Sequence, residues 1–196
     1  MIVLASQSAV RRRLLEAAGV AFETVTAPVD EGAIRAELLA ARQSPVSIAQ
    51  HLAVEKASVV SRQRPAAWVL GADQVLEFEG RIVSKSQSLG EAAVLLRQLR
   101  GRSHRLISGV ALVRDKTTVW QHSDTATLTM RSFSDEFLDG YLARAGEAIL
   151  GSVGCYHLEG LGVQLFDRIE GDYFTILGLP LLPVLAALRA QGALPP

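Results

Sequence analysis

Two hydroxyls and three consecutive arginines, Ser6, Ser8 and Arg11 to Arg13, follow an apolar N-terminal run, Ile2 to Ala5. Cations in the first turn of a helix oppose the positive end of its dipole. They become favourable there when an anion lies among the hydroxyls, the free N–H groups and the guanidinium. The chemistry indicated is phosphate binding by Ser6, Ser8 and Arg11, with a solvated basic turn as the competing reading. A second candidate is Asp73, followed by Gln74, inside the apolar run Trp68 to Leu76. A carboxylate in such a run is costly unless it is paired or holds a metal. Strand ends are a usual place for chemistry in α/β folds; a turn aspartate at a strand end is the competing reading. Lys56 and Lys85 can neutralise further phosphate charge. Glu31 and Asp73 are available for a divalent cation or for activating water, and a hard ion such as magnesium favours one or two carboxylates plus substrate phosphates. Glu159 is the polar group of a glycine-rich stretch, Gly146 to Gly162, which is too irregular for a P-loop.

The elements that must position these residues are readable from pattern and caps. Ile2 to Ala5 predicts a short buried strand. A helix follows with Ser8 as N-cap, Gly19 as stop, and Val10, Leu14 and Ala18 on one face. Val20 to Ala27 predicts a strand, Pro28 to Glu31 a loop, and residues 33–63 one or two helices, the longer capped by Ser44 with Pro45 at its first position. Ile48, Leu52, Glu55, Lys56 and Val59 are spaced by helical steps, which puts Lys56 near the edge of the buried face, where a snorkelling lysine is common. Trp68 to Leu76 predicts a strand that turns at Glu79-Gly80-Arg81 and returns through Val83. Ser88 and Glu91 form a capping-box pattern for a helix ending at Arg100, with Leu89, Ala93, Leu96 and Leu99 inward. Residues 104–113 and 117–130 predict an antiparallel strand pair carrying His104 and His122 as surface or edge residues. Ser134 opens a helix that ends at Gly146. Val163 to Ile169 predicts a strand, Glu170 to Tyr173 a turn, and Leu179 leads into a final helix ending near Gln191. Alternating strands and helices interrupted by two hairpins imply an α/β fold with a mixed sheet covered by helices.

Composition bounds the function. The chain has 196 residues, 49% hydrophobic, with Lys plus Arg and Asp plus Glu both at 20. That size accommodates one domain with a full core, and the balanced charge gives no support to nucleic-acid binding. The single cysteine, Cys155, excludes an intramolecular disulfide and suits a reducing compartment. No run is apolar and long enough for a bilayer, so a cytoplasmic, membrane-free protein is expected.

The motifs Leu4-Ala-Ser-Gln-Ser-Ala-Val-Arg-Arg12, Val29-Asp-Glu31, Glu55-Lys56, Gly71-Ala-Asp-Gln74, Lys85, Gly151-Ser-Val-Gly154, Glu159-Gly160 and Gly178-Leu-Pro-Leu181 occur in this order along nearly the whole chain. In order and spacing the sequence resembles the Maf family of nucleoside triphosphate pyrophosphatases. The resemblance implies a single domain from 1 to 196 with a mixed, strongly twisted sheet flanked by helices and two lobes around a central cleft, a Maf/ITPase-like arrangement that is often dimeric. It implies hydrolysis of the α–β phosphate bond to a nucleoside monophosphate and pyrophosphate, with Asp73 as the proton acceptor. Ser6, Arg11, Lys56 and Lys85 match phosphate-binding residues. Glu31 is assigned to a divalent metal, Mg2+ or Mn2+, with Asp73 as the alternative ligand. Gln74 and Glu159 resemble the branch acting on 7-methyl-GTP, where the dTTP and UTP branch has threonine and glutamine. Val10 stands where the methyl-GTP branch has a tryptophan, so base preference is set by Val10, Gln74 and Glu159. Two alternatives remain: a dTTP/UTP pyrophosphatase of the same family, and a non-catalytic nucleotide-binding regulator of cell division with a protein partner.

Overall fold

The computed structural model describes residues 1–196. Seven strands form one mixed sheet in the order β2-β1-β3-β5-β6-β7, with β4 paired to β3. In chain order the elements are β1 (Ile2–Ala5), α1 (Ala9–Ala17), β2 (Phe22–Thr24), α2 (Glu31–Ala40), α3 (Pro45–Gln63), β3 (Trp68–Phe78), β4 (Arg81–Val83) and α4 (Leu89–Leu99). They continue with β5 (Ser103–Arg114), β6 (Thr117–Met130), α5 (Asp135–Ala145), β7 (Phe166–Glu170), α6 (Tyr173–Ile176) and α7 (Leu181–Ala190). The chain divides into two compact units: Met1–Gln74 with Ile107–Asp124 and Asp172–Pro196, and Val75–Leu106 with Thr125–Gly171.

In the first unit β1 pairs in parallel with both β2 and β3, and its last residue, Ala5, lies opposite Gly71. Ser6 therefore leaves the sheet level with Ala72, and Asp73 and Gln74 lie just past the carboxyl end of β1. Side chains alternate along a strand, and the core follows that alternation. Ile2, Leu4, Leu70, Ala72, Val110 and Leu112 pack with Leu15 of α1 and Leu181, Val184 and Leu188 of α7. Val3, Ala5, Val69 and Val113 turn the other way, onto Ala57 and Val60 of α3. The helix α3 lies unusually close to the strands: a Cβ on Gly71 would come 2.0 Å from the Ala53 carbonyl oxygen, and one on Gly109 would come 2.4 Å from the Ala49 carbonyl carbon.

In the second unit β3 and β4 form a hairpin across Glu79 and Gly80, both at positive φ, and β7 pairs antiparallel with β6. Its interior contains a ring cluster. Tyr156 and Phe166 meet edge to face at 4.8 Å between centroids, and His104 lies 5.7 Å from Tyr156.

The caps at Ser8, Ser44, Ser88 and Ser134 each accept the expected backbone N–H. Several expectations are corrected. The buried side of α1 is Arg11 and Leu15, whereas Val10 and Leu14 are half-buried and Ala18 is exposed; hydrogen bonds to the guanidinium turn the helix toward Arg11. In α3 the buried rows run through Ile48, Leu52, Lys56 and Val60 and through Ala49, Ala53 and Ala57, so Lys56 is central to that face. In α4 the inward residues are Ala92, Leu95, Leu96 and Leu99. β2 is confined to Phe22–Thr24, and α2 begins at Glu31 because Asp30 caps it through the Ala33 N–H. Residues 163–165 belong to a 3-10 turn rather than a strand, and Tyr173 opens α6. His104 is buried rather than on the surface.

Candidate functional site

The first unit gathers Ser6, Arg11, Glu31, Lys56, Asp73 and Gln74 around the carboxyl end of β1 and the middle of β3. On the α3 side of β3, the Lys56 ammonium lies 2.6 Å from Asp73 Oδ1 and 2.8 Å from Glu31 Oε1. Lys56 and Asp73 are buried, and Glu31, in the first turn of α2, is partly exposed. Burying a lysine is costly unless it is paired, and two carboxylates on one ammonium meet that requirement. Asp73 Oδ2 is buried and has no hydrogen-bond partner. An orphaned carboxylate oxygen inside a core is expensive, so this atom is the clearest sign of a ligand or reacting group at the site.

On the opposite side of β3, Arg11 is buried against the backbone. Its Nε donates to the Gly178 carbonyl at 2.8 Å, and its Nη1 to the Ala72 carbonyl at 2.9 Å and to Ser6 Oγ at 3.2 Å. Ser6 Oγ also accepts the Ser8 N–H at 3.3 Å, which leaves the hydroxyl proton of Ser6 to donate elsewhere. Burial holds the Arg11 guanidinium below its ordinary value, while the charges of Asp73 and Glu31 act in the opposite direction. Arg11 thus ties the middle of β3, at Ala72, to Gly178 with two nitrogens and has Nη2 left over for an anion. Arg12 pairs with Glu16 at 3.7 Å on the exposed side of α1, so that arginine follows the solvated reading.

Gln74 emerges on the Arg11 side of the sheet. Its Nε2 donates to Ser108 Oγ at 3.1 Å, to the Thr175 carbonyl at 3.0 Å and to the Ile176 carbonyl at 3.1 Å. Thr175 Oγ1 donates to Asp124 Oδ2 at 3.0 Å, and the Thr175 N–H to Asp172 Oδ1 at 3.0 Å. Ser108, Thr175 and Asp124 were not among the residues expected at the site. Ser108 was visible only as a hydroxyl within the apolar run Leu106 to Val113, and Thr175 only as the residue three places after a capping aspartate. Val10 is half-buried on α1. Lys85 and Glu159 belong to the second unit: Lys85 is exposed just after β4, and Glu159 is exposed between the two 3-10 turns.

No cluster of three or more His, Cys, Asp or Glu residues is arranged to hold a metal. The pair present, Asp73 with its orphaned Oδ2 and the exposed Glu31, fits a hard cation that takes its remaining ligands from water and phosphate.

The Maf-like protein family profile matches residues 1–191. The chain is 53% identical over 193 residues to a nucleoside triphosphate pyrophosphatase of Caulobacter vibrioides, covering 98% of this chain and 96% of that one. It is 50% identical over 194 residues to a 7-methyl-GTP pyrophosphatase of Rhizobium meliloti, covering 99% and 98%. It is 48% identical over 193 residues to a nucleoside triphosphate pyrophosphatase of Granulibacter bethesdensis, covering 98% of each. A solved nucleoside-triphosphatase / dITP/XTP pyrophosphatase of Mycobacterium abscessus aligns at TM-score 0.37 and 18% identity over 66% of this chain and 72% of its own, too remote to add to the comparison.

Proposed function

The chain belongs to the Maf family, and from that premise we propose that it is a nucleoside triphosphate pyrophosphatase whose reacting group is Asp73. The observation that carries this reading is Asp73 itself. Oδ1 is held by Lys56, and Oδ2 is one of three buried side-chain polar atoms without a partner, with Arg35 Nε and His104 Nδ1, and the only carboxylate oxygen among them. Water positioned on Oδ2 attacks the α-phosphorus. Its proton passes to Asp73, the bond to the β-phosphate oxygen breaks, and pyrophosphate leaves with the electron pair. Lys56, 2.6 Å from Oδ1, holds the carboxylate in place for that transfer. The Ser6 hydroxyl proton and Arg11 Nη2 are the donors offered to phosphate oxygens, and the buried positive charge favours the developing charge on the leaving group. Glu31 would hold a divalent cation, Mg2+ or Mn2+, together with water and phosphate oxygens, and that cation when bound supplies neutralisation of phosphate charge.

For the base, 7-methyl-GTP or a related modified nucleotide is the proposed preference. Its support is the relative of that name at 50% identity, together with Gln74 and Glu159 in the sequence pattern. For Lys85 and Glu159 as phosphate and base contacts, the support is the sequence pattern alone. The test is a panel of canonical and methylated nucleoside triphosphates with magnesium, with products separated by chromatography. Monophosphate plus pyrophosphate is expected. Diphosphate plus orthophosphate, or binding without turnover, would overturn the reading. Within that panel, the double replacement Gln74→Thr and Glu159→Gln is expected to shift relative rates toward dTTP and UTP; unchanged rates would remove both positions from base selection.

A further inference from the structure

Every residue of β3 from Val69 to Glu77 is buried except Gln74. Its amide nitrogen nevertheless faces inward, toward three acceptors. Two of these, the Thr175 and Ile176 carbonyl oxygens, have no proton to give. The third, Ser108 Oγ, directs its own proton to the Thr175 carbonyl at 2.9 Å. A flipped amide would place its oxygen against two carbonyl oxygens that have no proton to give, so the observed orientation is the satisfied one. Oε1 is the group left facing out. It accepts no hydrogen bond from the chain and lies 3.7 Å from where a Cβ on Gly178 would stand, a position also 3.4 Å from Arg11 Nε and Nη2. The carbonyls that hold the amide are themselves held. Asp172 and Asp124 fix the N–H and hydroxyl of the fully buried Thr175, and the Gly178 N–H donates to the Thr175 carbonyl at 3.0 Å.

We propose that Ser108 and Thr175 are specificity-positioning residues acting through Gln74: they lock its amide so that position 74 presents only a carbonyl acceptor, and therefore selects a ligand edge that carries an N–H donor. The inference rests on the nucleotide-site reading above and adds to it the direction of the contact and the residues that set it. A purine whose ring nitrogen at that edge is protonated, as N1 of guanine is and N1 of adenine is not, satisfies Oε1. A base that presents a lone pair there meets repulsion.

The lock is read first without substrate. In 15N-labelled protein the Gln74 side-chain NH2 signals are identified by their absence in Gln74→Glu. Removing one hydrogen bond of about 1.4 kcal/mol in Ser108→Ala is expected to speed exchange of those protons about 10-fold; Thr175→Val keeps the accepting carbonyl but loses its tie to Asp124, and a smaller increase is expected. Unchanged exchange in both variants overturns the proposal. The second readout is the ratio of kcat/KM for 7-methyl-GTP to that for ATP. It is expected to fall about 10-fold in Ser108→Ala and to return in Ser108→Thr, which restores the hydroxyl. An equal loss on both nucleotides with no change of ratio shows a role in folding alone and overturns the proposal. If the parent enzyme hydrolyses neither nucleotide, the proposed purine preference fails, and the exchange measurement still decides the lock.

Discussion

Replacing Lys56 by methionine keeps most of the side-chain volume and removes the charge that joins Asp73 to Glu31. Removing one member of a buried ion pair costs about 3–5 kcal/mol, because the other is left charged without compensation. Here the charge left behind is Asp73, whose Oδ2 already lacks a partner, so the variant has a buried carboxylate with neither oxygen satisfied. Glu31 then faces Asp73 with like charge. At a separation of about 5 Å the repulsion is about 1 kcal/mol with water-like screening and about 3 kcal/mol at an effective dielectric of 20. Glu31 is 41% exposed, which favours the lower figure. A total near 4 kcal/mol lowers Tm by roughly 8–16 °C for a chain of this size. Urea unfolding followed by tryptophan fluorescence measures the loss, with Trp68 and Trp120 as reporters. The double variant Lys56→Met with Asp73→Asn removes the stranded charge and is expected to regain about half of the stability. A single variant within about 1 kcal/mol of the parent, or a double variant no more stable than the single one, would refute the argument that the ammonium neutralises two carboxylates.

Asp73→Asn alone is expected to reduce pyrophosphate release by about 10²–10⁴-fold while retaining the circular dichroism of the parent, since Lys56 keeps Glu31; turnover within a few-fold of the parent removes Asp73 as the proton acceptor. Burial holds His104 at about 4, against an ordinary value of 6.5. The folded chain therefore binds fewer protons than the unfolded one between those values, and stability is lost as pH falls from about 6.5 toward 4, by up to about 3 kcal/mol. Urea midpoints at pH 7 and 4.5 check this, and His104→Gln should flatten that part of the profile; an equally steep fall in the variant assigns it to other groups. Gly178→Ala places a side chain at φ +87° and is expected to destabilise by about 1–2 kcal/mol, with a larger loss of kcat/KM because Arg11 is held by the same residue; an effect on stability without one on turnover separates the two roles.

Local signals were read correctly where the physics is local. The serine caps at Ser8, Ser44, Ser88 and Ser134 each depend on an N–H three residues away, and all four helices begin where those caps place them. The arginine run pointed to Arg11, and the interrupted strand to Asp73, because each breaks the rule of its element. What was missed depends on distant partners. Arg11 turns α1 toward the core through a carbonyl 167 residues away, which no periodicity of apolar residues can register. Lys56 was assigned to the edge of its helix because a lysine is read as a surface residue until its two carboxylates are known. Gln74 finds its acceptors 34 and 101 residues along the chain, and the inward turn of its amide is invisible without them. His104 was placed on a strand correctly and on the wrong side of it, since its partner Tyr156, 2.7 Å from Nε2, lies in an irregular segment.

Gly71 and Gly109 set a minimum that cannot be relaxed. Where α3 meets the sheet, backbone touches backbone, and no side chain at those positions can be repacked to change the spacing. The spacing of the main chains that carry Lys56 and Asp73 is therefore set by the thickness of two backbones. A helix resting on side chains can shift by fractions of an ångström as those side chains change rotamer; this one has no such slack at its closest points. The two elements that carry the charges are consequently held at one spacing before any ligand arrives, so little backbone reorganisation remains to be made during reaction. The same rigidity makes the glycines intolerant of substitution although neither touches the charged groups. A methyl group at position 71 would push the helix outward along its length and pull Lys56 away from Asp73.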